Sequence, residues 1–574
     1  MMTQNPMQND DRTTNWNWQE IQARFDALEK EPISENAVDG WLLRWTEASE
    51  WCDERYNRLY VATTVNTADA DAKTAFESFM ENDFPLWRMA EQRLKEKLLD
   101  SGLEPAGMAI PLRNMKAETR IFREANLPLL AKEEKLASEH DGVMGSQGVI
   151  WQGEERTARQ MEGVLREPDR EIRRRSWELL AERQLQDRED INRRWVELMV
   201  LREEMSANAD RPDYRAYRWE VLKRFDYTPG DCIRFHQAIE EAVVPAVAKA
   251  MERRKKQLGV DTLRYYDLYV DLSGKPPLKP FGSVIELKEK ASLVFHHVHP
   301  QFGAYFDQMD REGLLDLDNR KHKAAGGYCT DFSSSKRPFI FANAVGTHED
   351  VQTLMHEGGH AFHAFESFQL PYFQQRSEGA VPTEFAEVAS MTMEYLTSPY
   401  IGEEHGGFYS VGDAARARVD HLETDLRFWP YMAIVDAFQH WVYENPQDGA
   451  LPAKCDAKWA ELERRFRPFI DWRGYEDVMM TGWQRKDHIH QMPFYYVEYG
   501  LALLGAAQIW QNAGRDQAGA VSRYRQALGL GGTKTLPELY RAAGARLAFD
   551  AGTLQEAAGM MLDTILELEA GYAA

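Results

Sequence analysis

Residues 354–365 read LMHEGGHAFHAF, and the way this stretch folds decides how the rest of the chain is read. Its apolar spacing predicts a helix, yet Gly358 and Gly359 stand in the middle, each costing about 1 kcal/mol against alanine in a helix interior. On a helix, His356 and His360 lie one turn apart with Glu357 beside them, the HExxH pattern. Two imidazoles can then reach one metal, and a carboxylate is at hand to move protons. Alone, the string also fits an incidental histidine pair, so its surroundings matter. At about 100° per residue, Glu349, Thr353, His360 and His363 fall within about 60° of His356. Val351, Leu354, Gly358, Ala361 and Phe362 cover the opposite half, which gives one polar face and one core face. Thr347 followed by Asp350 forms an approximate capping box and sets the start of the helix.

Two histidines leave a catalytic zinc one protein ligand short. The long metzincin pattern needs Gly at position 363 and His at 366, where this chain has His363 and Glu366, so that class is excluded. The alternative is a carboxylate on a later helix. TEFAEVASMTME (383–394) places Glu384, Glu387, Met391 and Glu394 on one face after the break at Pro382. Glu387 is the expected third ligand. To bring it to a metal held by His356 and His360, with bonds of about 2.0–2.2 Å, the two helices must approach closely. Gly359, with the small residues Ala386, Ala389 and Ser390 opposite, predicts a tight crossing and explains the glycines.

Outward from this site, the chain is 574 residues long, 43% of them hydrophobic. That length suggests roughly three or four domain equivalents, but no repeat, Gly/Ser tract or Pro-rich linker divides it, and one continuous architecture with internal lobes is expected. The first 15 residues are polar and are expected to be disordered, residues 16–200 to form an N-terminal helical region, and 201–574 to form the catalytic domain. Trp18, Ile21, Phe25 and Leu28 keep helical spacing, and Leu94, Leu98 and Leu99 close another helix before Gly102. Residues 154–205 read as long charged helices, within which REIRRRS (170–176) predicts a solvated face. The strand candidates are LRYYDLYVDL (263–272), GGYCTDF (326–332) and RPFIFANAV (337–345), the last offering an edge for a peptide backbone. GLGGTKT (529–535) is no phosphate loop, because Thr533 stands where Gly must precede Lys. It predicts a helix end and turn before a helix at Pro537.

The net charge of −23 argues against nucleic acid or an anionic membrane as partner. The four cysteines, Cys52, Cys232, Cys329 and Cys455, form no CxxC pair, and no apolar run approaches the 18 or so residues of a membrane span. A cytoplasmic protein is expected.

GGYC (326–329), PFIFAN (338–343), GTHEDVQTLMHEGGHAFH (346–363), EFAEVASMTME (384–394), HIHQMPFYYVEYG (488–500) and LGGTKTLPEL (530–539) together resemble, in order and spacing, the oligoendopeptidase F and thimet oligopeptidase family of zinc metallopeptidases, which includes neurolysin. The resemblance covers most of the chain from residue 200 onward. It implies a mainly α fold, large and two-lobed, with a deep central channel and a small β-sheet beside the zinc-binding helix. It also implies one Zn2+ per chain on His356, His360 and Glu387, with Glu357 as general base. His488, Tyr496 and Tyr499 match the residues that line the cleft and stabilise the tetrahedral intermediate, with His490 and Tyr495 as alternatives because the spacing departs slightly from the thimet branch. Pro493 is expected to begin a helix, leaving His488 in a loop. The function implied is zinc-dependent hydrolysis of internal bonds in short oligopeptides, the oligomeric state being left open. The rivals are a zinc carboxypeptidase, which needs a cationic subsite for the free C-terminus, and a catalytically idle peptide-binding protein.

Overall fold

The computed structural model describes residues 16–573 apart from position 378, and the expected disorder of the first 15 residues lies outside them. The chain is mainly helical. It divides into two compact units, each built from separated stretches. Unit 1 takes the described residues up to Arg120, then Lys279–Ala414 and Gly505–Leu547; unit 2 takes Ile121–Leu278, Ala415–Leu504 and the chain from Ala548. The division expected near residue 200 falls inside unit 2.

In unit 1, the helix Trp18–Lys30 is capped by Asn17, whose side chain accepts from Gln19 N, and it buries Ile21, Phe25 and Leu28 as their spacing predicts. They join Trp41, Trp45, Trp87, Leu94 and Leu98 in one core. A three-stranded sheet follows: β1 (Leu315–Asp318), β2 (Tyr328–Phe332) and β3 (Arg337–Ala344). β3 lies in the middle, parallel to β1 and antiparallel to β2. This corrects one expectation. Both edges of RPFIFANAV are already paired, so the open edges of the sheet belong to β1 and β2. β1 itself escapes the sequence reading because LDLD lacks the aromatic and β-branched residues that mark strands. Helix α1 (His348–Ser367) leaves β3 and helix α2 (Thr383–Thr397) packs across it. Further on, the GLGGTKT segment is a turn after the helix Gln517–Leu528, and Thr535 and Glu538 form a capping box that starts Leu536–Ala542.

Unit 2 is helical apart from a short hairpin pairing Val149–Trp151 with Glu154–Arg156. LRYYDLYVDL is no strand. It holds a single 3-10 turn, Tyr265–Asp267, because the fully buried Asp267 carboxylate is tied to Arg170 and Arg173 at 2.7 and 3.1 Å and also accepts from Arg264 N at 3.0 Å. Those anchors bend the chain where its composition favours extension. The same pairs correct the reading of REIRRRS: Arg173 is 1% exposed, so this face is not wholly solvated. All four cysteines are free thiols, and no helix among the described residues is long and apolar enough to cross a membrane.

Candidate metal centre

The start of α1 is fixed by a complete capping box. Thr347 accepts from Asp350 N, and Asp350 Oδ2 accepts from the backbone of Val345, Gly346 and Thr347 at 2.9, 2.9 and 2.8 Å. This ties the helix to the end of β3. Gly346, at φ +93°, makes the turn that a side chain would disfavour.

The two mid-helix glycines both face packed groups. A Cβ on Gly359 would lie 2.6 Å from Ser390 Cα and 2.7 Å from the Ala389 carbonyl oxygen, both on α2. A Cβ on Gly358 would lie 2.7 Å from the ring of Phe295. α1 and α2 therefore cross backbone against backbone, as the glycines predict, and Glu387 enters the crossing from α2.

There the structure brings together the three expected ligands: donor atoms of His356, His360 and Glu387 all lie within 4.8 Å of one another. Glu387 Oε2 is 3.4 Å from His356 Nε2 and 3.7 Å from His360 Nε2. Donors held at about 2.0–2.1 Å and tetrahedral angles around one zinc sit about 3.3–3.4 Å apart, so the separations suit that ion. Tautomers suit it as well. Glu394 Oε1 lies 2.7 Å from His356 Nδ1, which takes the proton on that nitrogen and leaves Nε2 to face Glu387. Ser390 Oγ donates to Glu387 Oε2 at 3.1 Å.

The carboxylates favour positive charge at this point. Burial pushes His356 down, but hydrogen bonds to Glu387 and Glu394 reverse this and hold its pKa well above the ordinary histidine range. Burial lowers His360 to about 4, keeping its lone pair available. Burial would raise Glu387, yet the two histidines keep it below the usual carboxylate range. Glu357, 8% exposed, is pushed up to about 7 by burial, opposed by His356 and by the Cys329 backbone on β2. His363, expected on the same polar face, instead sits against the edge of the Phe385 ring and is held neutral by burial, its pKa lowered to about 3. Glu366 pairs with Arg525 at 2.7 Å.

In unit 2, the residues of 488–499 also gather. The His488 ring lies 5.0 Å from Tyr496, 5.9 Å from Tyr499 and 5.8 Å from Tyr495. His490 does not join them. It is fully buried, stacked at 4.0 Å on His140 and packed against Trp195 and Trp483. Two local expectations are corrected. His488 sits in a one-turn helix, Asp487–Gln491, and the next helix starts at Tyr496, three residues after Pro493. Phe494 adopts a left-handed φ of +65° while Arg224 donates to its carbonyl at 2.6 Å, and this delays the helix.

The sequence places Glu394 on the face of Glu387 but does not reveal its bond to His356. The signal for its actual place is its position on α2, seven residues after Glu387 and on the same face.

The sequence pattern of Peptidase family M3 matches residues 164–559. The chain is 23% identical over 312 residues to Oligopeptidase PepF of Bacillus subtilis, covering 52% of this chain and 43% of that protein. It is 28% identical over 165 residues to Group B oligopeptidase PepB of Streptococcus agalactiae, covering 28% of this chain and 26% of that protein. It thus spans less than half the length of these curated relatives. Among solved structures, PZ peptidase A, determined with an inhibitor, superposes with a TM-score of 0.87 at 27% identity, covering 97% of this chain and 99% of the other. A putative oligoendopeptidase F gives a TM-score of 0.86 at 27% identity, covering 96% and 98%.

Proposed function

This chain belongs to peptidase family M3, and on that premise we propose that it is a zinc-dependent endopeptidase that hydrolyses internal bonds of short oligopeptides. The observation that carries the proposal is the convergence of His356, His360 and Glu387 on one point with Glu357 adjoining. These three residues would hold one zinc per chain. When bound, zinc supplies Lewis acidity, polarising a carbonyl and making water nucleophilic near neutral pH.

The remaining work falls to the protein's own groups. Glu357 takes a proton from the attacking water and returns it to the leaving amine. Glu394 keeps the His356 ring in one tautomer and orientation. His488, Tyr496 and Tyr499 act as donors to the oxygen on which negative charge develops. A peptide backbone pairs along the open edge of β2, beside Glu357. Short peptides in the cytoplasm are the substrates of this reading, and the charge of −23 argues against nucleic acid or an anionic membrane surface as the main partner.

The test is mass spectrometry of products from a mixed peptide library, with the metal-loaded protein and with the same protein after chelation. Internal cleavage that vanishes on chelation and returns with zinc is expected. Loss of single C-terminal residues alone would establish the carboxypeptidase instead, and binding without turnover the idle peptide-binding protein.

A further inference from the structure

Unit 2 holds a group of cations with few anions to match. The Lys486 ammonium stands 4.1 Å from the centre of the Tyr496 ring and 5.9 Å from that of Tyr431, with no hydrogen-bond or ion-pair partner among the described residues. Arg485 next to it donates to Thr481 Oγ1 at 3.0 Å and to the Val478 carbonyl at 2.6 Å, and has no carboxylate within ion-pair distance among the described residues. Arg467 lies 4.9 Å from the Tyr431 ring and is matched by Glu463. Arg427, 5.2 Å from the Tyr269 ring, bonds to two carbonyls and the Thr424 hydroxyl. Glu423 and Asp420 act on Arg427, but among the described residues Arg485, Lys486 and Arg467 share one ion-paired carboxylate, Glu463, in a chain whose acidic residues outnumber its basic ones by 92 to 69.

Such an arrangement is costly. Cations removed from water are ordinarily paired; here burial alone lowers Arg485 and Lys486, the latter to about 8, with only nearby phenols, Glu463 and Asp487 opposing it. Half-buried, unmatched positive charge beside phenol hydroxyls is suited to an anion that arrives with a ligand. The ring of Tyr496 joins this group to His488 at 5.0 Å, which the peptidase reading places at the substrate.

We propose that Arg485 and Lys486, flanked by Arg467, Tyr431 and Tyr496, form a subsite for a carboxylate of the peptide substrate, supplied by its C-terminus or by an acidic side chain. The inference rests on the peptidase reading above.

It is tested with one oligopeptide of neutral side chains in three forms: free C-terminus, C-terminal amide, and amide with a glutamate as the last residue. Affinity is read by calorimetry on Glu357→Gln protein and KM on the wild type. At least one carboxylate-bearing form should bind about 10- to 100-fold more tightly than the neutral amide, as one to two charge-assisted hydrogen bonds allow. Preference for the free acid alone assigns the C-terminus; preference for both assigns any nearby carboxylate. Lys486→Met should abolish the preference and Lys486→Arg should keep it. Equal affinity for the three forms, or full preference retained in a Lys486→Met protein that melts like wild type, overturns the proposal. Absence of any hydrolysis by wild type would instead sink the peptidase reading, and the affinity ratios would still decide the subsite.

Discussion

Glu394 Oε1 lies 2.7 Å from His356 Nδ1, so a carboxylate on α2 fixes the orientation of an imidazole on α1. Partners of this kind hold a ligand ring in place and raise its basicity, and losing them typically weakens metal binding 10- to 100-fold. Glu394→Ala should lower zinc affinity by about that factor, measured by competition with a chelator, while Glu394→Gln keeps the geometry and loses less. An unchanged affinity in the alanine variant would assign Glu394 to helix packing alone.

Glu357 and Glu387 should respond in opposite ways. Glu357→Gln removes a proton acceptor but no ligand, so zinc stays at one per chain while turnover collapses. Glu387→Ala removes a ligand, and zinc is expected to leave on dialysis. Metal analysis beside a peptide assay separates them; zinc lost with Glu357→Gln would require its role to be reassigned.

Gly359→Ala pits local propensity against packing. The substitution gains about 1 kcal/mol of helix preference, yet its Cβ would press on the α2 backbone at 2.6–2.7 Å. Overpacking that backbone cannot relieve costs typically about 1–3 kcal/mol. A lower Tm and weaker zinc binding are expected, since parting the helices withdraws Glu387. Gly358→Ala meets a phenyl ring that can shift and should cost less. A rise in Tm for Gly359→Ala would show that the crossing is not tight.

The tyrosine cluster is separable by single hydroxyls. Tyr499→Phe and Tyr496→Phe keep the volume and should lower kcat, by about 10²- to 10³-fold for a donor that acts chiefly in the transition state, with little change in KM. Tyr495→Phe is the comparison. Wild-type turnover in all three would reduce the cluster to packing.

Acid stability should report on Asp436, which is fully buried with Oδ2 2.8 Å from His236 Nε2 and 3.3 Å from His440 Nε2. Burial would raise its pKa, but the histidines hold it below the usual carboxylate range. A carboxylate lowered in the folded state contributes fully above its unfolded pKa of about 3.9, and that contribution is lost as pH falls from there through the lower folded value. Asp436→Asn should cost about 3–5 kcal/mol at pH 7, as for other broken buried pairs, and flatten the stability curve below about pH 4. Denaturant unfolding from about pH 2 to 7 measures both, and an unflattened acid limb would place the dependence elsewhere.

The local chemistry of this protein was legible in its sequence. HExxH, its capping residues and the acidic face of 383–394 follow from helical period alone, because residues three, four or seven apart share a face wherever the helix sits. The glycine pair even announced a close crossing, since only a packed neighbour makes two mid-helix glycines worth their propensity cost. Tertiary structure decided what periodicity cannot reach. Only the crossing places Glu394 on His356 and sends Glu366 to Arg525. Only long-range ion pairs turn LRYYDLYVDL into a bend, and only pairing order puts β3 in the middle of its sheet. Of two histidines two residues apart, His490 enters the core and His488 meets the tyrosines, a distinction set by which side of one helical turn the tertiary packing covers. The same holds for Arg485 and Lys486: their sequence names two cations, but the scarcity of carboxylates around them is a property of the folded neighbourhood.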